Sequence, residues 1–256
     1  MSLFFVRFLS LFLCAAGTIY ALQLSRGEAE IIGQKIYQNE CGSNADKLVW
    51  WNSGEAFASL GIGHFIWYPE GKRGPFEETF PSLLAFIEEE GISPPEWLKS
   101  SSSCPWTSKE DFSLHKHSEK QRELQQFLLR TVSSQAAFIG KRFDLEKLLS
   151  HIPAEKKEGA AKRVQRLLKT MEGKYALLDY LNFKGEGILP SERYNSQGWG
   201  LVQVLEEMAD SEDPQAAFSE AAKQVLVRRV KNAPQERKEE RWLPGWTARV
   251  STYRKS

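Results

Sequence analysis

Apolar and polar residues repeat with a helical period through most of the chain. At the start, Ser25 and Glu28 have the spacing of a capping box, which predicts a helix running to about Glu40. Ile32 and Ile36 lie four residues apart and form the apolar stripe of this helix. Glu40 is the next position on that stripe, so the pattern places a carboxyl group on the apolar face where the helix ends.

Residues 48–68 break the helical pattern. They are rich in aromatic and β-compatible residues, and turn residues at 52–54 together with Gly61 and Gly63 interrupt them. This composition predicts a small β-hairpin or an irregular pair of loops. A helical pattern returns over 76–90, where we expect Pro81 to interrupt the helix.

After Thr107 the periodicity is helical almost to the end of the chain. The segments that we expect to be helical are 119–143, a helix opened by Pro153, a buried helix over 175–183, and helices over 198–208 and 214–231. The mixed-charge run 230–241 predicts a solvated surface, and 243–246 predicts a turn into a short tail. The fold class that follows is mainly α with a small β element near the N-terminus.

The first 21 residues have the pattern of a secretory signal. Arg7 precedes an apolar run over 8–16, and small residues follow it. We therefore expect a periplasmic or secreted protein with no stable membrane span after cleavage, and an uncleaved anchor is the alternative. Residues 22–256 would then form a single domain, with lobes over 22–106 and 107–256.

Charge and histidine content argue against several classes of partner. The chain has 34 basic and 33 acidic residues, and loss of Arg7 makes the two equal. A charge near zero gives no support for binding nucleic acid. The sequence has four histidines with no convincing ligand spacing, so we expect no metal and no cofactor. We also expect a monomer.

Two cysteines, Cys41 and Cys104, would remain in the mature chain. In an exported protein such a pair predicts a disulfide bond. Closing the loop between the two cysteines would stabilise the fold by about 4 kcal/mol in the chain-entropy model. The alternative is two reduced, buried thiols.

The segment Ser59-Leu60-Gly61-Ile62-Gly63-His64, preceded by Glu40 at the end of a helix, resembles the phage-type lysozymes (glycoside hydrolase family 24). In that family a catalytic glutamate ends the first helix and a β-hairpin follows. The resemblance covers about residues 30–66. It implies a lysozyme-like fold and a muramidase that cleaves peptidoglycan or a related glycan.

The resemblance assigns roles residue by residue. Glu40 matches the general acid, and its place at a helix end on an apolar face predicts a raised pKa. Val49 stands where the family has an aspartate, so Glu55 is the nearest second carboxylate and Asp46 the alternative. Ser59 replaces a threonine that holds a water.

One missing carboxylate leaves other functions open. Lytic transglycosylases need a single glutamate because the substrate's own groups complete the reaction. If neither Glu55 nor Asp46 faces Glu40, lytic cleavage is as well supported as hydrolysis. A protein of this fold that binds a glycan or a cell-envelope partner without cleaving it is the third hypothesis. In the phage-type lysozymes the histidine that His64 matches is structural.

Residues 182–203 form a second polar and aromatic cluster. Tyr194, Asn195 and Gln197 are candidates for the far wall of a sugar groove, with Trp51 as a stacking surface on the near side. Trp199 is either part of that wall or part of the core. Glu186 is the reserve candidate for the acid.

Overall fold

The computed structural model of the protein describes residues 22–254. The predicted secretory signal lies outside these residues. The described helices, in chain order, are α1 Arg26–Cys41, α2 Phe80–Glu89, α3 Glu96–Lys99, α4 Lys109–Leu114, α5 Glu119–Arg130, α6 Val132–Lys141, α7 Leu145–Ser150, α8 Ala154–Leu167, α9 Met171–Lys184, α10 Leu201–Glu207, α11 Pro214–Asn232 and α12 Leu243–Ser251. The strands are β1 Val49–Trp50, β2 Ala58–Leu60, β3 Phe65–Trp67, β4 Arg193–Tyr194 and β5 Gln197–Gly198. The mainly α fold class with a small sheet near the N-terminus is confirmed.

The first helix begins where the capping box predicts. The Ser25 amide donates to the Glu28 carboxylate at 2.8 Å, and the Glu28 amide donates to the Ser25 hydroxyl at 3.3 Å. The helix ends at Gly42, whose φ of 59° is left-handed. Glu40 therefore lies in the last turn, as the pattern predicts.

The β element is a three-stranded antiparallel sheet in the order β1-β2-β3. Ser59 at its centre is paired with Trp50 on one side and Ile66 on the other. The turn 61–64 joins β2 to β3, so the Gly-Ile-Gly-His segment is a tight connection at one end of the sheet. A second, two-stranded sheet of β4 and β5 lies between α9 and α10.

Two helix predictions need correction. Pro81 does not interrupt a helix; it lies in the first turn of α2, where a missing N–H costs no hydrogen bond. The expected helix over 119–143 is two helices that break at Thr131. The buried Thr131 hydroxyl donates to the Phe127 carbonyl at 2.7 Å, a back-bond that bends or ends helices.

The C-terminal region is more ordered than the sequence suggested. Residues 243–251 form α12 instead of a tail, and Glu239 in the mixed-charge run is fully buried. Pro244 occupies the first turn of α12, and Val250 and Tyr253 are fully buried. This helix packs mainly on α11 and carries a side chain that the site depends on.

Buried apolar side chains form one cluster that runs from Leu22 to Tyr253. The buried helix predicted over 175–183 is confirmed as α9, whose residues 175–180 are all buried. α1 packs against α6 and also contacts α9. Within the described residues no helix combines the length and apolarity that a bilayer crossing requires.

A buried glutamine fixes the turn 61–64. Gln135 of α6 is fully buried, and its Oε1 accepts the Ile62 amide at 2.9 Å. Gly61 has a φ of 69°, and a Cβ there would lie 2.2 Å from the same Gln135 oxygen. Glycine is thus required at position 61 by both conformation and space.

We predict that Gly61→Ala lowers the free energy of unfolding by about 2–5 kcal/mol. The left-handed conformation costs an alanine about 1–2 kcal/mol. Displacing the Gln135 oxygen leaves the buried Ile62 amide unpaired, which costs about 1–3 kcal/mol more. Urea unfolding gives the measurement. The matched control is Gly54→Ala, whose φ is also positive at 84° but whose Cβ would meet nothing within 4 Å. Equal losses in the two variants would contradict the role given to Gln135.

Candidate functional site

Glu40 lies at the meeting point of four separate parts of the chain. Its Oε2 is 3.0 Å from Nε2 of His64 in the turn 61–64. Its Oε1 accepts from Asn182 Nδ2 of α9 at 3.1 Å and from Arg249 Nη2 of α12 at 2.6 Å. The Glu40 side chain is 11% exposed, so these three partners nearly enclose it.

Arg249 is itself fixed by a second carboxylate. Its Nε and Nη2 donate to the two oxygens of Asp179 at 2.9 and 2.8 Å. Asp179 is fully buried and also accepts from the Tyr253 hydroxyl at 2.6 Å and from Asn39 Nδ2 at 3.1 Å. The guanidinium of Arg249 therefore donates hydrogen bonds to two carboxylates, those of Asp179 and Glu40.

The expectation of a raised Glu40 pKa is wrong for this arrangement. Burial does raise the pKa, but the hydrogen bond from His64 and the positive charges of Arg249 and His64 outweigh it. The net effect lowers the pKa of Glu40 to about 2. Glu40 is thus held as a carboxylate at neutral pH. The sequence could not show this, because the contacts of Glu40 with His64 and Arg249 form only in the folded chain.

His64 faces both the carboxylate and solvent. Its side chain is 48% exposed, while its Nε2 contacts Glu40. Partial burial lowers the pKa of His64, but the hydrogen bond to Glu40, the charge of Glu40 and the charge of Glu55 raise it above its ordinary value. The role expected for His64 was structural, and the geometry makes it a direct partner of the candidate acid.

Glu55 and Ser59 lie together on the same side of the sheet. The Ser59 hydroxyl is 3.5 Å from Glu55 Oε2, and Asn52 Nδ2 donates to the same oxygen at 2.9 Å. Glu55 is half-buried and close enough to His64 to influence its pKa. The alternative carboxylate, Asp46, is exposed and accepts from Gln125 Nε2 at 2.7 Å.

Trp51 is not a stacking surface in this structure. It is 3% exposed, and its indole N–H donates to the Glu55 carbonyl at 2.9 Å. The indole therefore supports the segment that carries Glu55. Trp50, its neighbour, is the exposed tryptophan of the sheet, with 50% of its surface in solvent.

Tyr194, Asn195 and Gln197 belong to the β4–β5 turn. The Tyr194 hydroxyl donates to the buried Glu239 at 2.9 Å, and its ring lies 4.5 Å from that of Trp199. Asn195 and Gln197 are exposed, and Gln197 accepts from Asn232 at 2.8 Å. No hydrogen bond joins these three residues to Glu40 within the part of the chain that the structure describes. Trp199 is core, at 6% exposure.

A cavity of about 280 Å³ lies beside the Glu40 cluster. Gly63, Asn182 and Glu186 are among its lining residues, and Asn182 is the one that also bonds Glu40; Glu40 itself does not line the cavity. Glu186 forms an ion pair with Lys147 at 2.5 Å. The reserve acid therefore has access to a cavity, but it lacks the enclosing donors that surround Glu40.

The predicted disulfide is not formed. Cys41 and Cys104 are both free thiols, and both are buried. Cys41 is the last residue of α1 and is buried in the core. Cys104 forms an isolated parallel β-bridge, a backbone pairing, with Pro69. Burial raises the pKa of Cys41 to about 11 and that of Cys104 to about 12, so neither is a reactive thiolate at neutral pH.

Among residues 22–254, no three His, Cys, Asp or Glu side chains converge as metal ligands would. Comparisons with family models, with curated proteins and with solved structures found no match to this chain. The residues of the site itself therefore carry the functional argument.

Sequence reasoning missed Arg249 and Asp179, and it included Asn182 only as the first residue of the cluster 182–203. A signal for α12 existed, since Pro244 is typical of a first helical turn and Trp246 and Val250 are four residues apart. The contact between Glu40 and Arg249 spans 209 positions, and no local pattern reveals such a contact. The local sign of Asp179 is that it is an acidic residue inside an apolar helix.

We predict that the pKa of His64 falls when Glu40 is neutralised. In the wild type the pKa lies above its ordinary value of 6.5, and Glu40→Gln removes the charge that raises it. Burial and the Arg249 charge then remain and both lower the pKa, while the Glu55 charge, the smallest of these effects, still raises it. An NMR titration of the imidazole protons measures the change. Glu186→Gln is the control and should leave the His64 curve in place; an unchanged curve in Glu40→Gln would contradict the pairing.

We also predict that Arg249→Met lowers the free energy of unfolding by about 3–5 kcal/mol, because it leaves the buried Asp179 charge without its cation. Arg254→Met, five residues further along the chain, removes an exposed pair with Glu220 and should cost at most about 1 kcal/mol. Chemical denaturation of both variants tests the difference. Similar losses would show that Asp179 does not depend on Arg249.

Proposed function

We propose that the protein is an exported glycosidase of the lysozyme type that cleaves the glycan of peptidoglycan, with Glu40 as the group that protonates the leaving oxygen. The observation that carries this proposal is the convergence of His64, Asn182 and Arg249 on one nearly enclosed carboxylate. The sequence resemblance to phage-type lysozymes selects the same glutamate.

A strongly perturbed carboxylate with specific charged partners is typical of functional sites. The partners of Glu40 come from the turn 61–64, α9 and α12, so the fold assembles them by tertiary packing. The adjoining cavity, lined by Gly63 and Asn182, offers a bound sugar ring space next to this cluster. These features support a substrate site that adjoins Glu40 through its partner Asn182.

The resting Glu40 is an anion and must gain a proton before it can donate one. His64 is the source, because its Nε2 faces Glu40 Oε2 and its pKa is raised above its ordinary value, which favours the protonated imidazole. Transfer of the Nε2 proton to Oε2 gives a neutral imidazole and a carboxylic acid. Glu40 then passes the proton to the glycosidic oxygen as the bond from that oxygen to the anomeric carbon breaks.

Glu55 is the candidate for the second half of a hydrolysis. Its carboxylate lies beside Ser59 and Asn52 and acts on the charge of His64, so it shares the region of the acid. In this role it accepts a proton from a water that attacks the anomeric carbon. If the substrate's own hydroxyl attacks instead, the product is a 1,6-anhydro sugar and Glu55 is dispensable.

A non-catalytic role in binding is the second candidate. The observation that favours it is the enclosure of Glu40 by three donors, which holds it as an ion and leaves 11% of its surface accessible. In that case the cluster is an anchor for α12, and the glycan or partner binds elsewhere on the surface.

Purified sacculi incubated with wild type and Glu40→Gln test the proposal. General acid catalysis contributes about 10²–10⁴-fold, so muropeptide release by Glu40→Gln should fall by that factor. Glu158→Gln, which changes an exposed glutamate of α8 that pairs with Lys162, is the control and should release muropeptides at the wild-type rate. Release by Glu40→Gln at the wild-type rate excludes Glu40 as the acid, and absence of release by the wild type supports the binding role. Mass spectrometry of the products separates hydrolysis from 1,6-anhydro formation.

The proton route predicts a pH dependence. Release by the wild type should be greatest below the folded pKa of His64 and should fall as pH rises through it, because only the imidazolium can supply the proton. His64→Gln should release at least about tenfold less at pH 7. A pH profile from 5 to 9 measures both effects. A wild-type profile that stays flat to pH 9 would contradict the route through His64.

A further inference from the structure

A second cavity lies next to β1, whose residues Val49 and Trp50 both line it. It holds about 250 Å³, and its floor is formed by the buried side chains of Trp51 and Phe112. Trp50, 50% exposed, forms one wall. An apolar cavity of about 150 Å³ can hold benzene, so this space accommodates an aromatic side chain with room to spare. We refer to it as the Trp50 cavity.

The rim of the Trp50 cavity is positively charged. Lys109, Lys116 and Arg122 line it, and within residues 22–254 none of the three forms a salt bridge with a carboxylate. The acidic residue of the lining is Asp46, and Gln125 already donates to it at 2.7 Å. Arg122 donates one N–H to the His117 carbonyl and has other donors to offer.

The cations stand out against the composition of the chain. Acidic and basic residues are nearly equal in number, so a local excess of three cations over one carboxylate is not a property of the whole surface. Apolar walls that meet a rim of one charge are characteristic of sites that bind an apolar group bearing the opposite charge. An exposed tryptophan is also a frequent anchor of protein interfaces.

We propose that the Trp50 cavity is a docking site for an acidic peptide segment of a partner protein, which inserts an aromatic side chain between Trp50 and Phe112. The flanking carboxylates of the peptide pair with Lys116 and Arg122. A neutral glycan would use the tryptophan face but would gain nothing from the three cations, so the charge favours the peptide. This site is independent of Glu40 and of the proposed cleavage.

Fluorescence anisotropy with a labelled peptide tests the proposal. The probe is Asp-Glu-Phe-Glu-Asp-amide with a fluorescent label on its N-terminal amine, and the expected result is saturable binding to the full chain that weakens as salt increases. Replacing its acids by Asn and Gln, or its Phe by Ala, should each weaken binding at least tenfold. Equal binding of the uncharged peptide, or no binding of the acidic one, overturns the proposal.

Variants of the protein locate the site. Trp50→Ala and the double reversal Lys116→Glu with Arg122→Glu should each weaken binding at least tenfold. The matched control is Trp242→Ala, which removes another exposed tryptophan, 40% accessible, and should bind as the wild type does. Thermal unfolding of each variant shows whether it is folded. Equal loss in the control variant places the peptide elsewhere and overturns the proposal.

Two further arms separate this site from the others. Glu40→Gln should bind the peptide with wild-type affinity, so that failure of the cleavage proposal and failure of this one are distinguishable. A soluble chitooligosaccharide should not displace the peptide. Displacement by the sugar would show that the Trp50 cavity is part of a glycan groove and would overturn the assignment to a peptide.

Discussion

The buried carboxylate of Asp179 is the constraint on which the candidate site depends. A charge with no exposed surface needs a partner, and Arg249 supplies it with two hydrogen bonds. That pairing fixes α12 against α9. Because the same guanidinium also contacts Glu40, the position and charge of the candidate acid follow from a structural ion pair. Arg249 is shared by Asp179 and Glu40, and His64 adds a second positive charge next to Glu40 when its imidazole is protonated.

Other contacts hold α12 in the same place. Lys184 Nζ lies 3.4 Å from the centre of the Trp246 ring, and Arg229 stacks between Trp246 and Trp199. Burial, followed by the charges of Arg229 and Arg249, lowers the pKa of Lys184 to about 6. The amine is therefore largely uncharged at neutral pH, which limits repulsion among the cations that surround this helix.

The features that could be predicted from sequence are those that local chemistry determines. The capping box at Ser25 and the stripe of Ile32 and Ile36 placed Glu40 correctly at the end of α1. The state of Glu40 could not be predicted, because its pKa is determined by Arg249, which lies 209 positions away, and by the tertiary position of His64. Likewise, Glu239 lay in a charged run and gave no local sign that tertiary packing buries it.

The low pKa of Glu40 limits how the proposed reaction can proceed. Glu40, whose pKa is lowered to about 2, must take the proton from His64, whose pKa is raised above its ordinary value, so the transfer costs free energy in the unbound protein. A turnover of about 10 per second corresponds to a barrier of about 16 kcal/mol, and the transfer must fit within that barrier. A bound sugar that draws Arg249 away from Glu40 would raise the pKa of the acid and return part of that energy. Arg249 would remain paired with Asp179 throughout, so this adjustment needs no unfolding of α12.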